Sequence, residues 1–228
     1  MTLADGRAAH LIDVLHVAPG RGVRVGIVDG PFGTGTIEAV SGRSVTMLCT
    51  FDAAPPPVPA VDLLLALPRP KVMRRLWAPL ASLGVGRIML TNAERVERPY
   101  FDSHAVQEQV YRPLLVEGLQ QARDTRLPRV SIHRQFKILV EDQLDTLTAP
   151  ALRLAADPSA TLPIGRAVAA AAPARVLLAV GPEGGWNAFE LSLLRSHGFE
   201  LVGLGRRTLR VDVACVALLA LVDAAMQT

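Results

Sequence analysis

The chain has 228 residues, enough for one large domain or two small ones, and half of them are apolar, which provides for a sizeable core. The two cysteines, Cys49 and Cys215, lie far apart in the sequence and suggest no disulfide framework or metal site. Twenty-four basic against 21 acidic side chains leave a net charge of only +3.

No charged, apolar and cleavage-site pattern opens the chain, so no signal peptide is expected. Charge or proline interrupts every long apolar stretch, so no membrane span is expected either. The five histidines show no metal-ligand spacing, and no metal is expected. A reducing, cytoplasmic setting follows most simply.

Residues 10–50 read as all-β. Strand-like runs at 23–28 and 44–49 are punctuated at hairpin spacing by Pro19-Gly20, Asp29-Gly30, Gly33, Gly35 and Ser41-Gly42, which suggests a small barrel. The proline-rich stretch 53–60 reads as a stiff linker and puts a domain boundary there, giving domains at 1–60 and 61–228. The apolar run 61–67 reads as a buried parallel strand. A helix is expected over 70–83, a strand over 85–90, and a long helix over 103–123 with Pro113 as a kink or break. A short strand follows at 130–133, then helices over 136–147 and 165–172, with proline-containing loops beside them. Strands alternating with helices argue for a parallel α/β sheet.

The most telling segment comes last. The apolar run 176–180 reads as a buried strand and stops at Gly181-Pro182-Glu183-Gly184-Gly185. Asn187, with Glu190 three residues on, has the spacing of a capping box, and Gly198 suits the helix stop. A short strand at 199–202 leads to a second loop, Leu204-Gly205-Arg206-Arg207-Thr208-Leu209-Arg210, and then an apolar helix over 211–225. Two glycine loops at adjacent strand ends form a ligand crevice lined by backbone amides and carbonyls.

These two loops resemble those of the RsmE family of ribosomal RNA methyltransferases, in the SPOUT superfamily. That family carries Gly-Pro-Glu-Gly-Gly and then Gly-x-Arg-x-Leu-Arg-x-Glu-x-Ala. Here the second reads Gly205 to Ala214, with Asp212 where the family usually has Glu. The N-terminal stretch from His10 to Gly22, then Val28-Asp29-Gly30, resembles the family's PUA-like barrel. Leu83-Gly84-Val85 keeps part of a middle motif whose polar residues are replaced here by Pro79 to Ser82. Thr91 to Val96 matches a Thr-x-Arg-Ser-Val element with an offset, and Gln120 to Asp124 occupies the place of a Glu-Gln-x-Gly-Arg element.

The resemblance implies a C-terminal parallel-sheet domain with a SPOUT-type trefoil knot and a small N-terminal PUA-like barrel. It implies S-adenosylmethionine bound in the knot, and transfer to N3 of a uridine in 16S ribosomal RNA. Leu178, Gly181, Glu183, Gly184, Gly185, Leu204, Gly205 and Leu209 would then bind the cofactor. Arg210 would stabilise the developing uracil anion, with Arg207 behind it. Asp212 would orient Arg210 or act as base, or else serve only as a first-turn carboxylate favoured by the helix dipole. Glu183 is a turn acceptor or a ligand contact; Trp186 stacks on a base or packs against the loop. A homodimer is expected through the last helix, whose apolar faces call for burial within the chain or against a second subunit. Two alternatives stay open: methylation of another RNA position, and a catalytically silent, ribosome-associated RNA-binding protein.

Charge distribution bears on RNA. Residues 67–135 carry twelve basic against six acidic side chains, whereas 1–66 and 136–228 are both slightly acidic. A local basic excess marks a nucleic-acid face, and Arg24, Arg74, Arg75, Arg95 and Arg123 are the candidate contacts.

Overall fold

The computed structural model describes residues 1–227 and divides into two units, each with its own core. The first comprises Met1–Pro57 with Asp124–Arg126, the second Val58–Arg123 with the chain from Leu127 on.

In the first unit, β1 (Thr2–Leu3) and α1 (Gly6–Asp13) precede β2 (Gly22–Gly26), β3 (Phe32–Ser41) and β4 (Ser44–Phe51). The strands form an antiparallel sheet in the order β1-β4-β3-β2. The expectation of an all-β stretch from residue 10 misses α1. Asp5 caps that helix by accepting from the Arg7 amide at 3.0 Å. Ala8, Leu11 and Ile12 then turn one apolar face onto Ile37, Val45 and Met47. Gly33 and Gly35, read as hairpin punctuation, lie inside β3 instead. A Cβ on Gly33 would stand 2.2 Å from the Thr50 carbonyl oxygen, so the pairing strand demands glycine there. Residues 124–126 join this unit because Thr125 donates its hydroxyl to the Gly30 carbonyl and accepts the Asp29 amide, both at 2.7 Å.

The second unit is a six-stranded parallel sheet. Its elements are β5 (Val61–Ala66), α2 (Pro70–Ser82), β6 (Val85–Thr91), α3 (Glu108–Ala122), β7 (Arg129–His133), α4 (Phe136–Ile138) and α5 (Leu144–Leu147). There follow β8 (Leu152–Ala156), α6 (Ile164–Ala171), β9 (Val176–Val180), α7 (Ala188–Ser196), β10 (Glu200–Val202) and α8 (Val211–Met226). Strand order is β10-β8-β9-β5-β6-β7, so β9 enters between two strands, β8 and β5, that precede it in the chain. Central β5 and β9 are buried along their whole length, the expected behaviour of strands flanked by strands and covered by helices on both faces.

Several local expectations need correction here. The long helix does not begin at Ser103: two 3-10 turns, Arg98–Asp102 and His104–Val106, precede α3. Of the two readings of Pro113, a kink or a break, only the break fails: the residue lies inside α3, which continues past it. The strand β8 was not foreseen, although Leu152, Leu154 and Ala156 alternate as an apolar set before the Asp157-Pro158 turn. A π turn, Leu139–Gln143, joins α4 to α5 across the expected helical stretch.

Candidate active site

Parallel strands end on one edge of a sheet, and loops leaving that edge make ligand crevices. Here β8, β9 and β10 end side by side, and their loops border an open crevice. Ala156, Asp157 and Pro158 come from the end of β8, and Val180 to Glu183 with Gly185 from β9. The loop after β10 contributes Leu204, Gly205 and Arg207 to Leu209, and the start of α8 contributes Val211, Ala214 and Leu218. Gly205 has φ +114°, a conformation only glycine adopts without strain, and no atom lies within 4 Å of where its Cβ would be. The lining is apolar along Val180, Val202, Leu204 and Leu218, with two carboxylates, Asp157 and Glu183, and one guanidinium, Arg207, among it. Such a mixture suits a ligand with a flat apolar part and a charged part.

The glycine loop is held from several sides. Glu183 accepts the Arg69 amide at 3.0 Å, which ties the loop to the segment entering α2. Arg95 donates from Nη1 to the Gly184 carbonyl. Trp186 is buried, stacks on Phe136 with ring centroids 5.2 Å apart, and lies within 3.2 Å of the position a Cβ on Gly181 would take. The tryptophan therefore packs against the loop. Asn187 and Glu190 form the capping box of α7: Asn187 Oδ1 accepts the Glu190 amide, and Glu190 Oε2 accepts the Asn187 amide, both at 2.8 Å. The other Glu190 oxygen accepts the Glu94 amide at 2.7 Å, so one buried carboxylate joins α7 to the loop that carries Arg95.

Placement of the expected residues is uneven. Gly181, Glu183, Gly185, Leu204, Gly205 and Leu209 line the crevice, as does Arg207. Leu178 does not. It sits wholly buried mid-strand, between Leu63 of β5 and Leu154 of β8, and Val180, one pleat further on, reaches the cavity instead. Gly184 faces Arg95 rather than the cavity, since a Cβ there would meet Arg95 Cδ at 2.7 Å. Arg210 caps α8 and donates to Asp212 at 3.2 Å. Arg74 and Arg75 lie in the second turn of α2 and Arg95 beyond β6, at the same edge of the sheet as the crevice. Arg123 lies elsewhere: it ends α3, which returns the chain to the opposite edge, where β7 begins. Arg24 belongs to the first unit, exposed on β2 with its guanidinium 4.8 Å from the centre of the Phe32 ring.

Comparison with known proteins bears on what this crevice is for. An RNA methyltransferase domain model matches residues 54–223. Ribosomal RNA small subunit methyltransferase E of Treponema pallidum is 30% identical over 226 residues, spanning 97% of this chain and 84% of that protein. The chain belongs to the RsmE family of ribosomal RNA methyltransferases. The corresponding enzyme 1 of Borreliella burgdorferi is 26% identical over 155 residues, 68% of this chain and 63% of that one. Among solved structures, RsmE of Neisseria gonorrhoeae, bound to S-adenosyl methionine, superposes with a TM-score of 0.74 at 21% identity over 100% of this chain and 90% of that one. A probable rRNA methyltransferase of Porphyromonas gingivalis gives 0.76 at 19% identity, covering 99% and 93%.

The parallel-sheet unit and the antiparallel sheet of this RsmE-family chain thus match the fold of those structures. Sequence reasoning missed the contribution of β8 to the crevice. Asp157, at 9% exposure, accepts its neighbour Ser159's amide at 2.7 Å and lines the cavity. Its signal was present in the Asp-Pro-Ser turn after an alternating apolar run. Cys215 is a core residue of α8, and burial pushes its thiol up to about 12, so it carries no chemistry here. Among the described residues no cluster of His, Cys, Asp or Glu is arranged to hold a metal, and no helix is long and apolar enough to cross a membrane.

Glu190→Ala is expected to cost about 2–4 kcal/mol, since it leaves the Asn187 and Glu94 amides without their acceptor and removes half of the capping box. Urea unfolding measures the loss. Hydrogen exchange should locate it at the Glu94 amide as well as at the start of α7.

Proposed function

We propose that this chain is an S-adenosylmethionine-dependent methyltransferase that modifies N3 of a uridine in 16S ribosomal RNA. The observation that carries the reading is the crevice itself: two glycine loops meet at the ends of β9 and β10, with an apolar lining and two carboxylates and one guanidinium, Arg207, among it. The donor set fits the cofactor. Val180, Leu204 and Leu209 with Gly205 would enclose the adenine, and Asp157 and Glu183 would accept from its hydroxyl and ammonium groups. Arg207 would meet its carboxylate. When bound, the cofactor supplies an electrophilic methyl group on a sulfonium sulfur.

The remaining chemistry belongs to the chain. Uridine N3 carries a weakly acidic proton that must leave before or during transfer, so negative charge develops on the uracil ring. Arg210 at the N-terminus of α8 supplies positive charge for that anion, and Asp212 orients its guanidinium. Arg74 and Arg95 supply phosphate contacts on the same edge, and Arg24 and Arg123 are assigned to other RNA contacts. The target base is taken in an unpaired segment or out of its stack.

The same reading extends to the finer architecture. The domains are a PUA-like β-barrel at 1–60 that binds RNA and a SPOUT domain at 61–228 with a trefoil knot. The knot is supported by the entry of β9 between β5 and β8. Homodimerisation is supported by α8. Val211, Cys215, Leu218, Leu219 and Val222 face the core, while Val213, Val216 and Leu221 stay 50%, 37% and 44% exposed on an apolar outer face. Light scattering should report a dimer at micromolar concentration, and the double variant Val213→Glu, Leu221→Glu a monomer. A wild-type monomer overturns the dimer.

The deciding experiment is calorimetry with S-adenosylmethionine on wild type and on Ala214→Phe, which fills the crevice from the partly exposed face of α8. Micromolar binding that the variant abolishes, together with N3-methyluridine restored to small subunits from a deletion strain, supports the reading. A folded wild type that binds no cofactor overturns it.

A further inference from the structure

Two helices meet through charge next to Leu209 and Val211, which line the crevice. Asp212, in the first turn of α8, accepts from Arg75 Nη2 at 2.8 Å and from Arg210 Nη2 at 3.2 Å, both on Oδ2. Its Oδ1 accepts the Val213 amide at 3.2 Å. Both carboxylate oxygens are therefore engaged, and the side chain is only 20% exposed, against 48% for Arg75 and 67% for Arg210. Arg75 stands 137 residues away on α2, a helix pinned to the sheet by Met73, Leu76, Trp77 and Leu80, all fully buried or nearly so.

This arrangement lies at the surface but joins two helices distant in sequence through one largely buried carboxylate. The loop over residues 204–209 lines the crevice yet is largely exposed, and Arg210 follows it directly. A guanidinium on such a loop has many rotamers of similar energy, and ordering a long side chain costs conformational entropy. Asp212 removes part of that freedom only if the carboxylate itself is fixed. Its shorter stem, one methylene less than glutamate, leaves fewer angles to fix, and Arg75 supplies the fixing contact from a rigid element. The other N–H groups of Arg210 have no partner among the described residues and stay available to an anion.

Resting on the methyltransferase reading of this site, we propose that Arg75 is a positioning residue. Through Asp212 it sets the direction of the Arg210 guanidinium beside the crevice, and so governs turnover rather than RNA or cofactor affinity. Arg75 is thereby taken out of the set of phosphate contacts, and Asp212 out of the set of free bases.

Steady-state methylation of small subunits tests this with Arg75→Ala, Arg75→Lys and Asp212→Asn, alongside cofactor calorimetry. Arg75→Ala should lower kcat about ten- to a hundredfold, the scale of a displaced catalytic group. KM for the subunit and cofactor Kd should stay within about twofold of wild type. Arg75→Lys, which keeps a charge that reaches the carboxylate, should recover part of the loss. Adding Arg75→Ala to Asp212→Asn should change kcat by no more than about twofold, because the two act through one contact. A raised KM with kcat unchanged makes Arg75 an RNA contact and overturns the proposal, as does additivity of the two substitutions. Should Arg75→Ala lower the melting temperature below the assay range, Arg75→Lys and Asp212→Asn carry the same comparison. A wild type that methylates while Arg75→Ala equals it overturns this inference alone; a wild type that neither binds cofactor nor methylates overturns the functional reading beneath it as well.

Discussion

Arg210→Ala is expected to lower kcat for methylation of small subunits by about 100- to 1000-fold, the scale seen when one preorganised electrostatic group is removed from a reaction centre. The physical reason is where the charge sits. Arg210 caps α8 with extended backbone, so its guanidinium adds to the positive end of that helix dipole, and Asp212 holds it on one side only. The effect belongs to the transition state, since neutral uridine gains little from a cation that its N3 anion needs. Cofactor affinity should therefore stay within about threefold of wild type, and kcat and kcat/KM should fall together. Arg207→Ala should behave oppositely. Its side chain lines the crevice, so cofactor Kd should rise while the rate at saturation changes little. Single-turnover methylation and calorimetry on the two variants separate the roles. Equal effects of both on Kd would remove Arg210 from the chemistry.

Gly118→Ala should be the most destabilising single-methyl change in the parallel-sheet unit, at about 3 kcal/mol or more. A Cβ at Gly118 would stand 2.1 Å from the Ala78 carbonyl oxygen and 3.0 Å from Ala78 Cα. Those are backbone atoms of α2, so no rotamer change relieves the clash, and α2 and α3 must part. Moving α2 disturbs Trp77, which is fully buried and donates Nε1 to the Ala105 carbonyl at 2.9 Å. It also breaks the Ser82 hydroxyl bond to the Gly118 carbonyl at 2.9 Å. Overpacking of a well-filled core costs about 1–3 kcal/mol, and a rigid backbone neighbour puts this site at the upper end or beyond. For a chain of this size the melting temperature should drop by roughly 6–12 °C, read by thermal circular dichroism. A drop of less than about 2 °C would mean that the helices separate freely and that the close contact contributes little.

Both variants probe contacts whose visibility in the sequence differs. The Arg210 loop stands out because its residues are consecutive and lie at a fixed distance from the first glycine loop. The capping box was equally legible, since Asn187 and Glu190 interact across three residues and helix geometry alone brings them together. The second bond of Glu190, to the Glu94 amide, spans 96 residues and left no trace in local pattern. The same holds for Gly118, where the helix reading would have favoured alanine. In β3 the glycines misled, because close strand pairing and turn formation both select for the absence of a side chain. Leu178 and Val180 belong to the same apolar run, and only the end of the strand decides that Val180 reaches the crevice.

What the sequence determined by itself is therefore whatever depends on neighbours a few residues apart. That covers the buried character of β5 and β9, the two glycine loops, the cap of α7, the apolar helix at the end, and through the loops the family. Tertiary structure decided what depends on how the sheet is threaded. The insertion of β9 beside β8 puts Asp157 into the crevice, and the approach of α2 to α8 turns Arg75 toward Asp212. Hydrogen-bond periodicity is a property of the local chain, whereas strand order and helix contact come from burying apolar faces contributed by distant segments, and many sequences of the same pattern could bury them in another order.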